Sequence, residues 1–250
     1  QALFYETLYH YHYLKRPLKV EPLLAAKMPD ISKDGKTITI ELKKGIYFHD
    51  DPCFEKTQGK GREFIADDVV YTIHRHSAPK VASGLYGSFE TAIVGAKDFH
   101  EGRSQSIKGV VALDAHKVQI KLLKKLPRFV FNFVDQHSAI LPKECVEKYG
   151  DQLSTKAAGT GAFKPEYVDL GHKIISVTNP NYSTITYPND GNSGDKESGL
   201  LDDAGKKLPL VDKVSFEVIK ESQPRWLKFL AGEFDMAGVP KDDVPKVIIN

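Results

Sequence analysis

Residues 37–42 read Thr-Ile-Thr-Ile-Glu-Leu, apolar at every second position. Strict alternation puts one face of a strand in a core and the other in water. Asp34-Gly35 just before it is a strong turn signal, so 32–48 is predicted as a hairpin, with Gly45 turning the chain into Ile46-Tyr47-Phe48. A second hairpin is expected over 110–124, turning at Asp114-Ala115-His116, with Val118, Ile120 and Leu122 alternating in its second strand. A third is expected over 159–178, with Phe163 to Val168 and Lys173 to Thr178 as arms around Asp169-Leu170-Gly171. Residues 66–77 change period: Val69, Val70, Ile73 and His74 fall near one helical face, Asp67 and Asp68 occupy the first turn, where they complement the helix dipole, and Pro79 closes the helix.

Other segments are less regular. Leu3, Phe4 and Leu8 have helical spacing. Tyr9, Tyr11 and Tyr13 then alternate with His10 and His12, which predicts a tyrosine face opposite two exposed histidines. Leu23 to Ala26 suits a short helix after Pro22. Residues 127–149 hold two short helical segments separated by Pro142, and 187–207, rich in Gly, Asp, Asn, Ser and Lys, reads as a long exposed loop. Val211 to Lys220 is a predicted strand with Val214, Phe216 and Val218 on one face. Ser222 is placed to cap a helix carrying Trp226 and Leu230, with Trp226 in the core, and Gly232 ends that helix. Phe234 to Val239 completes the pattern as a short strand. The fold class is mixed α/β, with hairpins joined by helices and no internal repeat.

Composition narrows the function. The 250 residues are 41% hydrophobic and 27% charged, and 35 Lys and Arg against 33 Asp and Glu leave a net +2. That balance gives no reason to expect nucleic acid as a partner. No run of about 18 apolar residues stands in the chain, nor does a signal peptide at its start. The abrupt Gln1-Ala2-Leu3-Phe4 and Val247-Ile248-Ile249-Asn250 ends lead to the expectation of a processed or partial chain. Two cysteines, Cys53 and Cys145, are too few for a disulfide scaffold; one long-range bridge and two unpaired thiols both fit, the thiols at least as well.

The densest chemistry is Phe48 to Glu63, FHDDPCFEKTQGKGRE. His49, Asp50, Asp51 and Cys53 are ligand types for Zn²⁺ or Ni²⁺, and a metal-dependent hydrolase is the enzyme reading they allow. Adjacent carboxylates at a strand exit point different ways, however, so a polar loop held by side-chain to backbone bonds is favoured. Gly59-Lys60-Gly61-Arg62 and Gly159-Thr160-Gly161 both fail the phosphate-loop pattern. The glycines of the second suit a close backbone approach. His10 and His12 lack a third ligand. Asn181-Tyr182-Ser183 matches a glycosylation sequon, a match common by chance. No nucleophile elbow, HExxH or CxxC pair is present.

The order of segments resembles the extracellular solute-binding proteins of family 5, whose members serve ABC importers of dipeptides, oligopeptides, nickel and haem precursors. The matching stretches are LFYETL (3–8), VEPLLA (20–25), SKDGKTITIELKKGIYF with His49-Asp50 (32–50), ADDVVY (66–71), VVALDAHKVQIKL (110–122), LPKECVEKYG (141–150), GTGAFK (159–164), NPNY (179–182) and LAGEFDMAGVP (230–240). Together they cover nearly the whole chain.

The resemblance implies a periplasmic-binding-protein-like type II fold. Residues 1–17 and 157–250 would form lobe I, 18–156 an inserted lobe II, and the C-terminal lobe III would lie outside this sequence. It implies capture of peptides by a non-enzymatic binding subunit. Nickel chelate, haem or another small solute is the alternative ligand. It implies membrane permease subunits as partners, a monomer, no cofactor, no metal, and a periplasmic or extracellular location that includes membrane anchoring of a full-length precursor. The ligand contacts would come from Tyr9, Tyr11, Tyr86, Thr160, Gly161 and Phe163. Three features depart from the family pattern, among them an expanded loop at 187–207. The loop from Asp51 to Arg62 is longer than usual. Ile65 replaces a threonine before Ala66-Asp67-Asp68, which removes a hydroxyl cap worth about 1 kcal/mol.

Overall fold

A computed structural model describes residues 3–247; the terminal Gln1-Ala2 and Ile248-Ile249-Asn250 lie outside them. Among the described residues three antiparallel sheets form. β1 (Tyr9–Tyr11) pairs with β2 (Val20–Pro22). A four-stranded sheet follows in the order β3-β4-β6-β5, from β3 (Asp30–Ile31), β4 (Thr37–Glu41), β5 (Val110–Asp114) and β6 (Lys117–Lys121). Helix α1 (Ala66–Ser77) packs over it, with α2 (Tyr86–Ala92) and α3 (Ala96–His100) alongside. After short 3-10 turns at Phe129–Phe133 and Gln136–Ser138 comes α4 (Lys143–Tyr149). The third sheet, β7 (Phe163–Asp169), β8 (Lys173–Thr178) and β9 (Lys213–Glu217), is followed by α5 (Ser222–Leu230).

The alternating strand and the amphipathic helix meet as predicted. Ile38, Ile40 and Leu42 are buried against Val118 and Ile120 of the neighbouring strand, and Val69 and Ile73 of α1 close the same core with Phe89, Phe129 and Phe133. Asp34 makes the predicted turn by accepting Ser32 Oγ and Lys36 N. At the start of α1, Ile65 offers no side-chain cap. Half of a capping box survives without it, because Ile65 N donates to Asp68 Oδ2 at 3.0 Å. Arg62 clamps the same carboxylate in a fork (2.9 and 2.6 Å) and Glu144 of α4 in a second one (2.6 and 2.8 Å).

Several expectations give way to long-range pairing. Leu3 to Leu8 is not helical: the Leu3 and Phe4 carbonyls accept from Phe163 N and Gly161 N, Glu6 O from Ile140 N, and Leu8 O from Leu23 N and Ala25 N. Leu24 N bonds Thr7 O and Ala26 N bonds Glu41 O as well, so the backbone of 23–26 is spent on other segments and the short helix after Pro22 is absent. Of the predicted tyrosine face, Tyr9 is fully buried while Tyr11 is 42% and Tyr13 65% exposed, and His12 is buried. The strand stops at Tyr11 because the chain turns there, His12 Nδ1 accepting both Leu14 N and Lys15 N.

The C-terminal part also differs. Val214 is half-buried on β9, but Phe216 and Val218 are exposed. Ser222 is the first residue of α5, with Glu221 at the cap position and no side-chain cap bond. Gly232 ends that helix at φ 76°, and Trp226 is buried, stacked on Phe229. Residues 234–239 are not a strand.

Cys53 and Cys145 form a disulfide, so the reading of two unpaired thiols is corrected. It ties the long loop after Phe48 to α4. The rest of that loop is occupied in the same structural way. Asp50 accepts Gly61 N, Lys60 Nζ and Asn181 Nδ2, and Asp51 accepts Cys53 N and the Tyr149 hydroxyl. His49 is buried, which pushes its imidazole below the ordinary value and favours the neutral ring. Ligand atoms of Asp51, Cys53 and Cys145 do lie within 4.8 Å of one another, but both sulfurs are spent in the disulfide and Asp51 is bonded to Cys53 N and the Tyr149 hydroxyl, which leaves that cluster without thiolate ligands.

Candidate functional site

The glycines of Gly159-Thr160-Gly161 set the site. A Cβ on Gly159 or Gly161 would collide with the Phe4 or Leu3 carbonyl, so the bend lies flat on residues 3–5 and carries Phe163 into β7. Asn179 Nδ2 holds it from the other side through Gly161 O at 2.8 Å. Above this bend a groove of about 710 Å³ opens between β1, the start of β7 and segments 182–190 and 208–214. That is within the usual size of small-ligand clefts, roughly 300–1,000 Å³.

The walls are aromatic and prolyl. Tyr11, Tyr13, Phe163, Tyr182, Tyr187, Pro188 and Pro209 all line the groove. Tyr13 meets Tyr187 edge to face, ring centroids 5.9 Å apart, a preferred aromatic geometry. The far wall is fastened to the near one by polar contacts. Asp190 takes Lys15 Nζ at 2.8 Å and His12 Nε2 at 3.1 Å, and Asn192 Nδ2 donates to Leu14 O. The predicted exposed loop at 187–207 is thus docked by its first residues onto 12–16. Because His12 Nδ1 is an acceptor for two backbone N–H groups, its proton sits on Nε2, facing Asp190.

Under the floor lies a buried carboxyl. Glu6 Oε2 accepts Thr184 Oγ1 at 3.0 Å, and the Thr160 and Tyr182 hydroxyls also bond it. Burial pushes Glu6 up to about 7, against the pull of these hydroxyls and the nearby Lys43 charge. Burial and the adjacent Glu6 raise the Tyr182 hydroxyl well above its ordinary value, so it stays a donor.

Of the six candidate ligand residues, the groove brings together Tyr11 and Phe163. Thr160 and Gly161 lie one layer below, in the Glu6 cluster and the bend. Tyr9 is in the core. Tyr86 opens α2 and stacks on His100, centroids 3.8 Å apart, outside the groove. Tyr13, Tyr182, Tyr187 and Glu6 were not singled out by sequence. The only signal for Glu6 was a lone carboxylate inside the apolar run 3–8, and for Tyr182 its place in the sequon. The sequon's Asn181 amide is already bonded to Phe48 O and Asp50 Oδ1.

A family model described as "Bacterial extracellular solute-binding proteins, family 5 Middle" matches residues 19–250. The dipeptide-binding protein of Escherichia coli K12 is 28% identical over 232 residues, covering 89% of this chain and 37% of that protein. Di/tripeptide-binding protein 4 of Pseudomonas aeruginosa UCBPP-PA14 is 27% identical over 259 residues, 97% of this chain and 41% of its own. In fold the chain is similar to Haemophilus influenzae OppA in complex with the peptide RPPGFSPFR, at TM-score 0.72 and 23% identity over 98% of this chain and 42% of that one. The chain therefore spans about two fifths of the length of the relatives it matches.

Proposed function

The chain belongs to the bacterial extracellular solute-binding proteins of family 5, and we propose that it is part of the peptide-capturing subunit of an ABC importer, working outside the cytoplasmic membrane with permease subunits as partners. The observation that carries this reading is the family match over 19–250, joined to relatives named for binding dipeptides and tripeptides. In it, residues 1–17 and 157–250 are lobe I, residues 18–156 are lobe II, and the protein acts as a monomer that binds without chemistry. The groove between Tyr11, Phe163 and Tyr187 is its ligand-contacting surface on lobe I.

The chemistry of that groove fits the role. Tyrosine rings give large, stiff contact area with a polar tip, which suits peptides of varied side chains. The fixed aromatic walls need little ordering on binding, which limits the entropic cost.

Native mass spectrometry of gently purified protein, compared with its denatured mass, tests the reading. The expected result is extra mass that leaves on denaturation and fragments as peptides. Calorimetric titration with a dipeptide and tripeptide pool then gives the affinity. No heat with any pool, for this chain and for a version extended to the length of its relatives, would sink the proposal.

A further inference from the structure

One end of the four-stranded sheet concentrates cations that, among the described residues, form no ion pair. Lys121 closes β6 opposite Thr37, and Lys36 O accepts Leu122 N at 2.7 Å, which sets the 33–36 turn beside the 121–125 segment. Lys125 lies over Gly35 of that turn. Lys124 and Arg128 line a groove of about 660 Å³ floored by Ala92, Leu126 and Phe129. Lys33, Lys36, Lys121, Lys124, Lys125 and Arg128 are all exposed, and among the described residues none of the six forms an ion pair. The carboxylates nearby are few: Asp34 accepts Ser32 Oγ and Lys36 N and feels the Lys36 charge without an ion-pair contact, and Glu90 of α2 faces Lys97. The whole chain carries only +2, so this end is strongly polarised against an acidic remainder.

Two large apolar side chains in the same 121–131 segment are exposed, Leu123 at 53% and Phe131 at 44%. Lysines with no fixed partner do not present the ordered geometry that an acidic protein face would read. A bilayer surface asks for no such order. It attracts cations through its phosphates and receives apolar side chains at the headgroup boundary. Arg128 at the rim of the groove offers a planar fork for one phosphate. We propose that this end of the sheet, from Lys33 to Lys36 and from Lys121 to Phe131, docks the protein on an anionic phospholipid surface, independently of any ligand in the tyrosine groove.

Co-sedimentation of the chain with phosphatidylcholine vesicles, with and without phosphatidylglycerol, tests this. Binding is expected only with phosphatidylglycerol, weakening as salt rises. The K124E/K125E/R128E variant should lose about tenfold or more in apparent affinity, while its circular dichroism and thermal transition match the parent. The neutral pair K124Q/R128Q gives a second, milder readout and should lose severalfold. The proposal is overturned if the parent does not sediment with the anionic vesicles, if it binds both vesicle types equally, or if both variants bind undiminished. Binding to polyglutamate without binding to vesicles would overturn it in favour of an acidic protein partner. Binding to inorganic phosphate alone would reduce the patch to a free-anion site.

Discussion

Glu6 Oε2 accepts the Thr184 hydroxyl at 3.0 Å across 178 residues of chain, with both side chains buried. With the Thr160 and Tyr182 hydroxyls on the same carboxyl, it ties the N-terminal segment to the layer under the tyrosine groove. It also leaves a carboxyl in a place that disfavours its charge.

The pH dependence follows from that burial. Glu6 is raised from its ordinary 4.5 to about 7 in the fold, so between those values the native state holds a proton that the unfolded chain has released. Stability from this group is therefore complete below about pH 4.5 and is lost as pH rises to about 7. The loss is on the order of 3 kcal/mol. Glu6→Gln keeps an acceptor for the hydroxyls and removes the charge. Urea unfolding from pH 5 to 8 should show the variant gaining on the parent steadily as pH rises, and more stable at pH 8. Parallel curves would mean that Glu6 titrates normally.

The groove makes a prediction that separates the tyrosines. Tyr11 and Tyr187 both line the groove, whereas Tyr86 is stacked on His100 elsewhere. Truncating an aromatic wall typically weakens binding by about 1–2 kcal/mol, roughly tenfold. Tyr11→Ala and Tyr187→Ala should each raise the Kd for a bound peptide by about that factor, and Tyr86→Ala should leave it unchanged. The reverse order in calorimetric titration would place the ligand contacts on the α2 side.

How much of this was legible in the sequence depends on where each backbone group finds its partner. The Thr37–Leu42 alternation and the α1 face were readable because their pairing is local or their burial one-sided. Leu3–Leu8 was not, since its carbonyls are spent on residues 23, 25, 140, 161 and 163. Within the site, Tyr11 stood out in an aromatic alternation and Phe163 in the strand after a glycine bend. Tyr187 did not, because it becomes a wall only when Asp190 reaches back to His12 and Lys15. The disulfide was undecidable from two cysteines 92 residues apart. The six cations that form no ion pair among the described residues lay in plain view, in two separate stretches that the β4–β6 pairing brings together.

The disulfide should be a large contributor to stability. Closing a loop of 92 residues restricts the unfolded chain by about 4–5 kcal/mol in the chain-entropy account. Cys53→Ala with Cys145→Ala should lower the urea midpoint markedly. Reducing agent should do the same to the parent and nothing to the variant. A variant as stable as the parent would show that the non-covalent contacts, the Arg62 clamp with the Tyr149–Asp51 and Lys148–Pro52 bonds, suffice to hold the loop on α4.

That clamp gives the last test. Arg62 forks Asp68 at the start of α1 and Glu144 at the start of α4, with its guanidinium 5.1 Å from the Phe48 ring centroid. Asp68 is buried, so removing the arginine strands a carboxylate that keeps only the Ile65 N–H. Breaking a buried pair from one side costs about 3–5 kcal/mol, far more than the net worth of the intact pair. Arg62→Met should therefore destabilise by about that amount. Adding Asp68→Asn should recover part of it, because the stranded charge is then gone. Urea denaturation of the parent, the single and the double variant measures both effects. If the double variant is no more stable than the single one, the loss came from the packing of Arg62 against Phe48 and Phe54 rather than from the unpaired charge.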